Sequence, residues 1–228
     1  MLVIRSERTR QVLRTLLPFA VMPALVLLIP VGVLRGYYAL ITFLMTVSAL
    51  LLFFSGFAKA EIGTRRMVLV SVMTALSVIG RLLPVIKPVT ALTVLSAMYL
   101  GKEAGFLVGA LSAVLSNFVM GQGPWTPFQM LAWGLIGLFA GIFAGPLRRS
   151  RLLLYGYGLL SGIAFSMLLD VWTTVWTYDG FSLPAYFAAL LSALPFTVLY
   201  AISNLLFLML FAKPFGDKLS RIHKKYGL

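Results

Sequence analysis

Cysteine is absent from this chain and histidine occurs once, as His223. No disulfide, no thiolate nucleophile and no imidazole metal cage can be built from such a composition. Acids are nearly as scarce: six Asp and Glu stand against nineteen Lys and Arg, for a formal net charge of +13. Without clustered carboxylates, and without a histidine in an apolar run, a membrane prenyltransferase, phosphatase or serine protease lacks its acid–base or nucleophilic groups, so an enzyme is not expected. There is no G-x-x-x-x-G-K-[ST] loop, and the Gly-x-Gly of residues 121–123 lacks the strand and helix context of a dinucleotide site. The chain therefore cannot hydrolyse ATP by itself. Its basic residues are spread over loops that flank apolar runs, which is what membrane topology requires, and nucleic acid is not expected as a partner.

What is there is hydrophobic. Of 228 residues 61% are apolar and only 11% charged, with a mean hydropathy of +0.99. An all-α integral membrane protein follows, because lipid leaves a spanning backbone no partners but its own. At roughly 20 apolar residues per span the length allows up to eight spans joined by short loops, with no stretch left for a soluble catalytic domain. The runs are Leu16 to Leu34, Tyr37 to Ala58, Met67 to Leu83, Val89 to Leu100, Ala104 to Met120, Trp125 to Leu147, Leu152 to about Trp176, and Leu183 to Ala212. The first is longer than a signal-peptide core and has no small-x-small site before Arg35, which points to a retained span. Pro84 and Pro88 separate the third and fourth runs, and Pro195 predicts a kink in the last. The segment after Lys213 reads as a basic, amphipathic tail.

Counting Lys and Arg in alternate loops places sixteen of the nineteen on one side, at the N-terminus, Lys59 to Arg66, Lys102, Arg148 to Arg151 and the tail. Only Arg35, Arg81 and Lys87 fall on the other. The positive-inside rule then puts both termini in the cytoplasm and predicts an even number of spans. It also gathers three stretches on the outer face: Arg81 to Thr90, Gly121 to Gln129, and Tyr178 to Ser182.

Polar groups inside the apolar runs are few and ordered. Gly101, Gly105, Gly109 and Ala113 step by four toward Asn117, and Gly158, Gly162 and Ser166 step by four toward Asp170. Such stripes let helices approach closely, so both polar side chains should face protein rather than lipid. Gly134, Gly137, Gly141 and Gly145 form a further close-packing face. The glycines by themselves need be no more than packing seams. Asp170 is the one acid inside an apolar run, and an intramembrane carboxylate is costly enough to imply a use, either to bind ligand or to pair with Arg81. Trp125, Trp133, Trp172, Trp176 and Tyr178 lie in the outer half, where an interfacial aromatic belt would also put them. With Asn117, Gln122 and Gln129 beside them they form a candidate site of apolar rings and a few fixed polar groups.

From Arg65 to about Phe215 the chain resembles a substrate-binding S component of an energy-coupling factor (ECF) vitamin transporter. The resemblance rests on Tyr-Leu-Gly-Lys-Glu-Ala-Gly (Tyr99 to Gly105), the Gly-x-x-x-Gly helix with its late Asn117, and the turn Gly-Gln-Gly-Pro-Trp-Thr-Pro-Phe-Gln-Met (Gly121 to Met130). It implies a six-helix core over 65–215, preceded in this chain by an N-terminal arm and two accessory transmembrane helices (1–64) and followed by a cytoplasmic tail (216–228). It implies a prokaryotic plasma-membrane protein that takes a vitamin from outside through the same three loops that the charge count put there. A transmembrane coupling subunit and two cytosolic ATPases would supply the energy, and the S component would topple to release its cargo. It carries no cofactor of its own in this reading. The coupling contact in the family is a small-x-x-x-small pair, here Ser71 and Ala75, with Ser in place of the usual Ala. The form of the turn is most similar to S components assigned to cobalamin or related corrinoids. Two other readings stay open at this point: a stand-alone secondary carrier or channel, and a membrane anchor for other proteins.

Overall fold

The computed structural model describes residues 4, 6–29, 35–56, 60–83, 86–178 and 180–226. Among them every regular element is helical: α1 (Glu7–Leu16), a π turn (Leu17–Val21), α2 (Met22–Leu27), a 3-10 turn (Arg35–Tyr37), α3 (Tyr38–Ser55), α4 (Ala60–Arg81), α5 (Val89–Leu100), α6 (Lys102–Met120), α7 (Thr126–Ile142), α8 (Ala144–Arg149), α9 (Arg151–Tyr178) and α10 (Leu183–Tyr226). Leu34, Ala58, Lys59 and Pro84 lie outside the described residues, as do the side chains of Arg35, Glu61 and His223.

Five helical stretches among the described residues are long and apolar enough to cross a bilayer: Glu7–Leu27, Tyr38–Ser55, Lys102–Met120, Arg151–Tyr178 and Leu183–Ile222. The expected eight are thus not all spans by length. α5 and α7 are apolar but shorter, and α4 carries Arg65, Arg66 and Arg81. The reason a helix of 12 residues can serve is visible in α5, where every residue except Tyr99 is buried. At 1.5 Å per residue it falls well short of a hydrocarbon core of about 30 Å. Wrapped by α4, α6, α7, α9 and α10, it meets protein instead of lipid and has no thickness to match.

Small residues set the two closest helix pairs. Gly105 of α6 lies against Gly137 of α7, and a Cβ at Gly105 would come within 2.9 Å of the Gly137 carbonyl oxygen. Backbones this near exclude any side chain at the crossing. On α9 the stripe of Gly158, Gly162 and Ser166 packs on α10: the Ser166 and Thr197 hydroxyls are 2.5 Å apart, and Asn204 Nδ2 donates to the Gly158 carbonyl at 3.3 Å. The stripes of α6 and α9 are therefore helix contacts, as are Gly134, Gly137 and Gly141 of α7, whereas Gly145, expected to continue that face, is exposed with nothing within 4 Å.

Three boundaries differ from expectation. The first helix starts at Glu7, not Leu16, because the Ser6 side chain accepts the Thr9 N–H at 3.3 Å and caps it. It widens into a π turn where Pro18 has no N–H to donate. The sixth run is cut at Phe143, so that α8 is a separate turn of helix. Finally, α10 does not end at Ala212. It runs to Tyr226 with Pro195 and Pro214 inside it, Gly216 lies against Tyr99 of α5, and Leu219 is buried. The segment read as a tail belongs to the bundle.

The added N-terminal helices lie against the core. α2 and α3 contact α7, and α3 also contacts α6. Arg14 Nε stands 3.1 Å from Glu103 Oε1, an ion pair by distance without the angle of a hydrogen bond. Arg66 is within electrostatic reach of both. One end of the bundle thus collects Arg14, Arg66, Lys102 and Glu103, and Arg81, Asn117 and the Gly121 turn occupy the other.

Candidate functional site

At the end opposite this basic cluster, the chain must reverse between α6 and α7 in five residues. Gly121, at φ +105°, supplies a conformation that a side chain would strain, and its N–H bonds the Asn117 carbonyl at 2.8 Å. Thr126 N–H then bonds the Gly123 carbonyl at 2.9 Å and Gln129 N–H the Trp125 carbonyl at 3.0 Å. Pro127, in the first turn of α7, costs nothing, since N–H groups there have no helical acceptor.

This turn holds a buried polar cluster centred on Arg81, the last residue of α4. Arg81 Nη1 donates to Ser116 Oγ at 2.5 Å and to Asn117 Oδ1 at 2.8 Å, and Nη2 to Gln129 Oε1 at 3.2 Å. Asn117 Nδ2 in turn donates to Thr126 Oγ1 at 2.8 Å and Gln129 Oε1 at 2.9 Å. Gln122 closes the ring of bonds, accepting from Thr126 Oγ1 at 2.9 Å and donating to the Val114 carbonyl at 2.8 Å. Among the described residues the partners of Arg81 include no carboxylate. Its charge is met instead by the carbonyl-rich C-terminal ends of α4 and α6, where a cation is favoured, and by the face of Trp133, 4.9 Å away. In the adjoining loop Lys87 Nζ donates to the Arg81 and Leu83 carbonyls at 2.8 and 2.6 Å. Burial first, and then the nearby Arg81 charge, pull its ammonium below the usual range.

Beneath Arg81 the rings continue as a column. Trp133 is buried, donates through Nε1 to Thr90 Oγ1 at 3.1 Å, and stacks on Phe165 at 4.3 Å, which meets Tyr200 edge-on at 5.5 Å. Beside it stands a second aromatic group. Trp125 and Trp172 pack edge to face at 5.7 Å, and Trp172 and Trp176 are near-parallel at 6.1 Å. Trp176 and Tyr178 are exposed. Among the described residues, Trp172 Nε1 and Asp170 Oδ2 on α9 are buried without a partner. Orphan buried groups are rare, and each marks a place where a further molecule or proton would be favoured.

The expected site residues thus fall into groups. Arg81, Asn117 and Gln129 bond one another, with Gln122 tied to them through Thr126 and Trp133 under the guanidinium, while Trp125, Trp172 and Trp176 form the aromatic wall, with Tyr178 beyond it at the end of α9. Asp170 stands apart and does not pair with Arg81. It continues the α9 stripe that packs on α10, its carbonyl accepting from Thr174 Oγ1 at 2.7 Å. Trp133 belongs to the core and not to an interfacial belt. Ser116, Thr90, Phe165 and Tyr200 escaped the sequence reading, and Thr126 entered it only as a member of the Gly121 to Met130 turn. Ser116 was within reach of it, since it adjoins a residue already singled out, but Thr90, Phe165 and Tyr200 enter only through tertiary packing. Ser71 and Ala75 are both exposed on α4, open to a second chain. They flank an apolar groove of about 440 Å³ lined by Val72, Leu76, Phe211 and Phe215 among others.

A family model described as "ECF-type riboflavin transporter, S component" matches residues 61–219. No curated protein and no solved structure matches the chain.

Proposed function

The chain belongs to the S components of ECF-type riboflavin transporters, and from that membership we propose that it captures a flavin, riboflavin first, at the aromatic end of its bundle. S components are the substrate-binding membrane subunits of these transporters and work with an ECF module of transmembrane and ATPase subunits. The observation that carries the substrate reading is the buried, unpartnered indole N–H of Trp172 in a wall of three tryptophans. A flat heteroaromatic ring stacks on such a wall and offers carbonyl oxygens or ring nitrogens to the free donor. The Arg81 cluster spends its hydrogen bonds internally and so acts as the rigid back of the site.

The basic end, on this reading, faces the cytoplasm and the Gly121 turn faces outward. Ser71 and Ala75 present a smooth strip to a helix of the coupling subunit, and reorientation of the S component on that subunit delivers the vitamin. ATP is used by the partners alone. The two added N-terminal helices brace α6 and α7.

The test is ligand binding by the purified full chain against a vitamin panel, read by quenching of flavin fluorescence and by native mass spectrometry. One flavin per chain is expected. A red, corrin-absorbing preparation that ignores flavin would restore the corrinoid suggested by the turn. Uptake that persists in a vitamin-requiring strain without any coupling subunit or ATPase would replace the whole reading with a stand-alone carrier.

A further inference from the structure

A second polar pocket lies at the basic end, far in sequence from the Gly121 turn. It measures about 370 Å³ and is walled by Arg148, Arg151, Lys213, Asp217, Tyr99 and Tyr155, with an apolar floor that includes Leu147 and Leu210. Each wall comes from the point at which a helix leaves its apolar run. α5 ends at Leu100, the apolar window of α9 opens after Arg151, and the hydrophobic run of α10 gives way at Lys213. The pocket therefore sits at the level where hydrocarbon meets headgroups.

Its charge is one-sided. Arg148, Arg151 and Lys213 are exposed, and none of the three forms an ion pair with Asp217, so three cations face one acid across the pocket. Arg148 is held over the Tyr99 ring, 5.4 Å from its centroid, which restrains one cation at the rim. On the other side of the α8–α9 corner an open groove of about 330 Å³ shares Leu147 and runs past Phe143, Leu153, Gly156 and Leu160 with almost no polar lining. Cations at headgroup level with an apolar groove on the far side of Leu147 match a phosphate with hydrocarbon attached.

We propose that this is a binding site for an anionic phospholipid, the phosphate held by Arg148, Arg151 and Lys213 and an acyl chain laid in the groove beyond Leu147. Basic pockets between helices on the cytoplasmic side recognise such headgroups by charge. The groove gives a lipid contacts that a free phosphate does not have. The inference is independent of which vitamin the opposite end binds.

The test uses the full chain, delipidated in detergent and offered equimolar phosphatidylglycerol and phosphatidylcholine, with retained lipid counted by native mass spectrometry. Wild type should retain phosphatidylglycerol preferentially. Arg148→Gln, Arg151→Gln and Lys213→Gln should each weaken that preference by about fivefold, the effect of one interfacial cation, and the triple variant should abolish it. A variant with Lys218→Gln, Arg221→Gln and Lys224→Gln loses the same charge outside the pocket and should keep the preference. Retention of vitamin binding shows that the triple variant is folded; if it is not, Arg148→Lys with Arg151→Lys, which should preserve lipid selection, is compared with the single Gln variants. An unchanged preference in the pocket variants, or equal loss in the control, overturns the site. Displacement of the lipid by glycerol 3-phosphate at matched concentration overturns its identity as a lipid site.

Discussion

Arg81 and Asn117 stand 36 positions apart and are joined by a 2.8 Å bond from Nη1 to Oδ1. That bond ties the end of α4 to the end of α6, and the shared acceptor on Gln129 extends the tie to the start of α7. Three helix ends at the mouth of the bundle are thus fixed by one guanidinium, which has a planar fork that an ammonium cannot copy. Arg81→Met should lower stability by about 2–3 kcal/mol, since Asn117 and Gln129 lose a charged donor in a buried setting. Arg81→Lys should recover less than half of the loss. Thermal unfolding of the purified chain measures both, and a Lys variant as stable as wild type would show that charge alone matters.

Trp172 separates ring from donor. Its Nε1 is buried without a partner, so Trp172→Phe removes a group that already costs desolvation and leaves the unliganded chain with an unchanged or higher Tm. Vitamin affinity should fall by about tenfold, the worth of one hydrogen bond to ligand. An equal affinity in the Phe variant, by titration of flavin fluorescence, would move the ligand off this indole.

The features legible in the sequence are those that lipid dictates locally. Apolar runs, their basic flanks and the four-residue stripes follow from burying a helix in hydrocarbon or against another helix, and Asn117 and Gln129 were placed at one level by those rules alone. What a stripe faces is a different matter. The steps that end at Asp170 identify a contact surface but not its partner, and the chain folds α10 onto it, so the guanidinium expected there is bonded to amides instead. The end of α10 was hidden for the same reason. Lys213 and Pro214 read as the close of a span, but Gly216 beyond them packs on Tyr99 of α5 and Leu219 is buried, and burial outweighs local sequence. Trp133 was misread because an aromatic near the end of an apolar run looks alike in a belt and in a core.

Ser71 and Ala75 offer a prediction about the other face. Both are exposed on α4, and Ser71 Oγ is turned back onto its own helix, donating to the Met67 carbonyl at 2.9 Å. The strip is therefore small and self-satisfied, as close helix docking needs. Ser71→Leu or Ala75→Leu should leave vitamin binding by the isolated chain unchanged while reducing co-purification with the ECF module and ATP-dependent uptake severalfold. Ser71→Ala, which keeps the strip small, should be as active as wild type. Full uptake by both Leu variants would assign the docking face elsewhere.

Asp170 tests whether a buried carboxylate is kept for stability or in spite of it. Its Oδ2 is without a partner, only 6% of the residue is exposed, and the neighbours on its stripe are Ser166 and Thr174 rather than a cation. Burying an unpaired acid costs several kcal/mol in principle, and a side chain of the same shape without the charge avoids most of that cost. Asp170→Asn should therefore raise the Tm of the unliganded chain, by an amount corresponding to about 1 kcal/mol or more. Asp170→Leu should be less favourable, because the flanking hydroxyls would then face a branched alkyl group too wide for a seam built on Gly158, Gly162 and Ser166. Should the Asn variant also bind vitamin as tightly as wild type, the carboxylate has no part in capture. A lower Tm for Asp170→Asn would mean that the acid is bonded through its charge in the folded chain, contrary to the arrangement of α9 and α10 described above.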